Sequence, residues 1–270
     1  MKVLTLSGGG FKGAFQVPII KELLKQEQFD LILGVSVGAI NGCLAAQDDL
    51  DVLDRFWDQI NDRCGYNGVS GFLSLSAHRG KGFFSLRPLE EKVKKFISLD
   101  KIKTPFGCGA TIREEKRYLN LYSNDMKSDK ELHDAIIGSS AIAGLMEPKV
   151  AKINGERVTL SDGGHIHVLP LPTESALEIT AIANFPLTNK KVCTRKVDGL
   201  FESISWAFEM SLEASHHLDL EILKGFSNKG ASIKIFAPEK DLGSLIGASK
   251  EDIEERMQHG LEMFKKPIFL

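Results

Sequence analysis

Short apolar runs alternate along this chain with longer segments whose apolar residues recur every three or four positions. Runs at Val3–Leu6, Leu31–Leu33, Val158–Leu160, Ile179–Ala183 and Ile233–Phe236 predict strands. Gly107–Ile112 and Tyr118–Tyr122 flank the charged turn Arg113–Arg117 and read as a hairpin. The helical period predicts a helix over Ala14–Gln26, with Val17, Ile20, Leu23 and Leu24 on one face and Pro18 in the tolerant first part. Further helices are predicted at Val37–Ala46, Leu50–Ile60, Pro88–Ile97, Asp129–Ser139 and Phe201–Leu223. A last helix, Ser249–Lys265, opens with Ser249 and Asp252 at the spacing of a capping box. Strands alternating with helices predict a mainly parallel sheet covered on both faces.

No repeat, low-complexity tract or convincing linker divides the 270 residues, so a single domain over 1–270 is expected. The segment Cys64–Phe84 differs in composition, with five glycines interleaved with Tyr66, Phe72, Phe83 and Phe84. It is a candidate lid or interfacial loop. The tail Met263–Leu270, with apolar anchors beside Lys265 and Lys266, is a second candidate for interfacial contact.

Composition is that of a globular protein, 43% hydrophobic and 26% charged. The net charge of -2 argues against a general nucleic-acid binder and gives no strong attraction to anionic membranes. Cys43, Cys64, Cys108 and Cys193 are scattered, as expected for reduced thiols of a cytoplasmic protein. Neither a signal peptide nor a membrane-spanning stretch is expected, so a soluble protein is predicted. No metal-ligand spacing occurs, and no metal or cofactor is expected.

The candidate chemistry lies where apolar runs end. Val3–Leu6 leads into Ser7-Gly8-Gly9-Gly10-Phe11-Lys12-Gly13, and Leu31–Leu33 leads into Gly34-Val35-Ser36-Val37-Gly38. Gly-x-Ser-x-Gly between strand and helix can present a serine hydroxyl on a tight turn. A glycine-rich turn at a helix start leaves amides free for a developing negative charge. The same glycines (Gly8, Gly10, Gly13) can be aligned with a dinucleotide fingerprint. Asp30, however, precedes the second strand where a ribose-binding acid should end it. The nucleotide reading is the weaker. A serine nucleophile ordinarily calls for histidine, but none of His78, His133, His165, His167, His216, His217 and His259 lies in a motif of its own. His216 and His217, mid-helix, read as half-exposed structure. Asp162, at a strand end before Gly163-Gly164, is the clearest carboxylate.

Taken together and in order, these motifs resemble the patatin-like lipid acyl hydrolases, the group that includes plant patatins and calcium-independent phospholipases A2. The resemblance rests on Gly8–Gly13, Gly34–Gly38, Asp162-Gly163-Gly164 and the stretch Ser139–Gly144 with Pro148, and runs to about Pro170. It implies a three-layer α/β/α fold and a Ser–Asp dyad that needs no histidine and no calcium. Ser36 would be the nucleophile and Asp162 the base, with an oxyanion hole from the amides of Gly8, Gly9, Gly10 and Val37. Lys12 sits where the family usually carries a basic residue, either steadying the loop or binding substrate. The implied substrate is a phospholipid or other acyl lipid, met by peripheral membrane contact. An acyltransferase using Ser36, or a non-catalytic lipid-binding domain, is the alternative. Two departures stand out: Val168 replaces an expected asparagine, and Ala143 an expected proline.

Overall fold

A computed structural model of the chain describes residues 1–60, 84–153, 155–172, 176–188 and 200–270. Strands are β1 (Lys2–Leu6), β2 (Leu31–Val35), β3 (Phe106–Ile112), β4 (Arg117–Tyr122), β5 (Lys149–Ile153), β6 (Glu156–Asp162), β7 (Glu178–Ile182), β8 (Ser232–Phe236) and β9 (Ile268–Phe269). Helices are α1 (Gln16–Gln26), α2 (Val37–Ala45), α3 (Leu50–Trp57), α4 (Arg87–Phe96), α5 (Asp129–Ser139), α6 (Leu200–Asn228) and α7 (Lys250–Phe264). The candidate lid falls outside the described residues except for Phe84, which is buried and bridges to Met146.

These strands form one sheet in the order β5-β6-β3-β2-β1-β7-β8-β9, with β4 also paired to β3. The central run from β3 through β8 is parallel, and β4, β5, β6 and β9 add antiparallel edges. Alternate residues of the central strands enter two separate cores. Leu4, Leu6 and Ile32 face one with α1 to α5, while Val3, Leu31 and Leu33 face the other with Leu220 and Leu223 of α6. Burial on both faces is why β1 and β2 are almost wholly apolar. The fold is therefore α/β/α with a mostly parallel sheet, as its alternating elements predict.

Two strands were not legible. In β5, Lys149-Val150-Ala151-Lys152-Ile153, only Ala151 is buried, so the inward face carries almost no apolar signal. The C-terminal tail is not free: Ile268 and Phe269 pair with β8, leaving Phe269 well exposed on the sheet edge. The capping box at Ser249 and Asp252 is formed.

One detail of register builds the site. Along β3, residues 107–112 pair with β4 on one edge. On the opposite edge Gly109 pairs with Val35 of β2, and the next residue, Ala110, pairs with Asp162 of β6. β2 and β6 therefore meet end to end on β3, bringing Ser36 and Asp162 together from far apart in sequence.

Candidate active site

Ser36 sits between β2 and α2 with φ 55° and ψ −124°, a conformation that a residue with a side chain rarely adopts. Such strain persists only where surroundings fix it. Here the Ser36 amide donates to Ser139 Oγ at 2.8 Å, and the Ser139 hydroxyl donates to the Gly109 carbonyl. Ser139 is fully buried. It was legible only as part of a resembling stretch; its role as a brace for the turn comes from α5 folding back over β3. The turn is also tight: a Cβ on Gly38 would lie 2.3 Å from the Leu6 carbonyl oxygen and 2.6 Å from that of Ser7. Gly38→Ala is expected to separate α2 from the end of β1, lowering stability by roughly 2–4 kcal/mol on the scale of severe packing defects, as a melting curve would register.

Ser36 is 8% exposed and opens onto an apolar groove walled by Phe56, Trp57, Ile142, Met146, Leu245 and Ile246. Gly10 and Val37 line the groove beside it. Gly8 packs against Ser36: a Cβ there would stand 3.2 Å from Ser36 Cβ. Among the described residues the amides of Gly9, Gly10 and Val37 have no hydrogen-bond acceptor. Gly8 is different and corrects the expectation: its N–H donates to the Val168 carbonyl at 2.8 Å, so it is committed to holding the loop and is not free for an oxyanion. Gly10 must be glycine twice over, with φ 54° and the Leu245 carbonyl oxygen 2.1 Å from where a Cβ would be.

Asp162 is the last residue of β6 and 1% exposed. Its Oδ1 accepts the Gly164 amide at 2.7 Å, while Oδ2 is buried without a hydrogen bond. Burial pushes the carboxyl pKa up from 3.8 to about 6, and the Gly164 amide and the neighbouring Ser36 side chain pull it partly back. The acid is therefore a stronger base than a solvated aspartate. Among the described residues no histidine bonds to Ser36 or Asp162; His133 contacts the Ile97 carbonyl, and His259 receives the Glu239 amide. His165 meets Ser211, and His167 meets Asp219. His217 is exposed, but His216 is 1% exposed, because it lies on the inner face of α6 against Phe185. Burial lowers its pKa to about 4, so it is a neutral core residue.

Lys12 is also placed differently from a substrate-binding residue. It is 5% exposed, its Nζ is 2.7 Å from Asp241 Oδ1, and it lies 4.9 Å from the centre of the Phe185 ring. It fastens the glycine loop to the segment after β8. That segment also supplies the Leu245 carbonyl, which accepts the Phe11 amide at 2.9 Å. From the end of β7, buried Asn184 donates its Nδ2 to the carbonyls of Ser7 (3.1 Å) and Gly8 (3.0 Å), and its amide to Ser7 Oγ (2.7 Å). Asn184 has a sequence signal, a polar residue directly after the apolar run Ile179–Ala183.

Fold and site thus define an α/β protein built around a strained strand-to-helix serine turn. The family model for patatin-like phospholipases matches residues 4–177, and the chain belongs to that family. No curated protein sequence gives a significant match. Among solved structures, VipD from Legionella pneumophila is 11% identical with a TM-score of 0.44, the match covering 100% of this chain and 68% of that one. The type III effector protein ExoU is 11% identical with a TM-score of 0.40, covering 99% of this chain and 54% of that one, so this chain spans about half of its length. No helix among the described residues is long and apolar enough to cross a membrane.

Proposed function

We propose that this protein is a serine lipid acyl hydrolase in which Ser36 and Asp162 form the catalytic pair. Ser36 Oγ attacks the ester carbonyl carbon while its proton passes to the Asp162 carboxylate. The carbonyl oxygen, now negative, faces the amides of Gly9, Gly10 and Val37. Collapse breaks the bond to the alcohol, which departs with the proton from Asp162, while the acyl group stays on Ser36 as an ester. Water then repeats the sequence with Asp162 as base and frees the fatty acid. The acyl chain occupies the apolar groove, and the groove mouth meets the lipid surface peripherally.

The observation that carries this reading is the end-to-end meeting of β2 and β6, which sets a strained serine beside a buried carboxylate of raised pKa at the floor of an apolar groove. No histidine, metal or cofactor takes part in these steps. Mass-spectrometric product analysis on a panel of phospholipids and lysolipids tests it. Free fatty acid plus the matching lyso-product is expected from the wild-type chain, and none from Ser36→Ala. Acyl groups recovered on an added alcohol in place of water would turn the assignment to an acyltransferase.

A further inference from the structure

Between β6 and β7, the stretch Ile166–Pro170 carries the backbone on which the glycine loop rests. The Val168 carbonyl receives the Gly8 amide at 2.8 Å, and the Thr5 hydroxyl donates to the Pro170 carbonyl. Val168 itself brings no polar side chain to this task. The stretch is held from the opposite side by two polar residues one turn apart on α6. Ser215 Oγ receives the Val168 amide at 2.8 Å and donates to the Ile166 carbonyl at 3.1 Å. Asp219 Oδ2 receives the Leu169 amide at 2.9 Å, and Oδ1 lies 2.6 Å from His167 Nδ1.

Asp219 has no exposed surface, and it shares the buried inner face of α6 with Leu212, Ser215, His216, Leu220 and Leu223. A carboxylate in such a place is costly unless its oxygens are bonded, and packing alone would be met by leucine. Every bond the Asp219 carboxylate makes within 3 Å goes to the stretch that supports Gly8. Gly8 in turn packs against Ser36 and adjoins the two loop amides free for an oxyanion.

We infer that Asp219 is a positioning residue: with Ser215 it sets the Val168 carbonyl, and through it the Gly9 and Gly10 amides, against Ser36 Oγ. This rests on the acyl hydrolase reading for its effect on rate, but the mechanical link from Asp219 to the glycine loop stands by itself. The residue touches neither substrate nor reacting atoms. It acts by fixing where the oxyanion donors sit, and a displacement of about an ångström there lowers rate by roughly a hundredfold.

The test uses the full chain with Asp219→Asn, which keeps shape and one acceptor oxygen, and Ser215→Ala as a second, milder variant. p-Nitrophenyl butyrate reports kcat and KM, and hydrogen–deuterium exchange reports the peptide spanning residues 7–15. Asp219→Asn is expected to lower kcat roughly a hundredfold, with little change in KM and faster exchange in that peptide. Ser215→Ala is expected to move both readouts in the same direction by less. A lowered melting temperature with unchanged kcat, or unchanged exchange at residues 7–15, would overturn the inference and leave Asp219 a purely structural residue. A wild-type chain that hydrolyses no ester, while exchange still rises in Asp219→Asn, would overturn the hydrolase reading and uphold the mechanical link.

Discussion

Ser36→Ala is expected to abolish acyl-ester turnover, with a fall in kcat of at least about four orders of magnitude, and to remove labelling by a fluorophosphonate. The fold should survive. The strained turn is held through the Ser36 amide, which bonds to Ser139 Oγ, and through the glycines that flank it, none of which the substitution touches. A melting temperature close to that of the wild type, together with lost labelling, identifies the hydroxyl as the nucleophile. Persistent labelling of the alanine variant would place the nucleophile elsewhere. The variant should also push the Asp162 pKa further up, since the neighbouring serine holds it down in the wild type.

Asp162→Asn should lose activity by roughly three to four orders of magnitude, the scale seen when the partner of a nucleophile is removed. It should nevertheless make the protein more stable at neutral pH. The folded-state pKa is about 6 against an ordinary value of 3.8, so between these values the folded chain holds a proton that the unfolded chain has released. Stability attributable to this group therefore falls as pH rises from about 4 to about 6, and stays reduced above that range. Asparagine has no charge to bury and removes this penalty, at most about 3 kcal/mol for a shift of roughly two pKa units. Thermal melts of both proteins across pH 4 to 8 read the difference directly. Curves that stay parallel throughout would mean that Asp162 is not strained by burial. In the wild type the same titration predicts an acidic limb near pH 6 in kcat/KM, because in the proposed reaction only the carboxylate accepts the serine proton. A limb that persists in a histidine variant but shifts when Asp162 becomes Glu would assign it to this carboxyl.

The two substitutions bear on different parts of what could be read in advance. Ser36 and Asp162 each stood beside glycines at the end of an apolar run, and that local punctuation was enough to single them out. The glycines themselves did not sort into roles. Gly8 and Gly9 look alike in the sequence, but only the fold gives the Gly8 amide an acceptor, because the carbonyl that takes it comes from Val168, some 160 residues away. Lys12 reads as a charge that either steadies the loop or meets substrate, and the partners that enclose it, Asp241 and Phe185, both come from beyond the matched family region. His216 and His217 are neighbours with one composition and opposite burial, set by which face of α6 meets the sheet.

By itself the sequence determined the layered α/β architecture, because burial on both faces demands continuous apolar strands and one-sided burial demands helical periodicity. It also determined the tight turn at Ser36, because only glycine at 34 and 38 permits so close a passage from strand to helix. The pairing of Ser36 with Asp162 had to come from the tertiary structure. It depends on β2 and β6 meeting end to end on β3, a register that no local pattern encodes. The support of the glycine loop by Asn184, Ser215 and Asp219 was likewise decided there. Those contacts join polar residues to backbone groups, and a backbone amide looks the same at every position of a sequence until the fold gives it a partner.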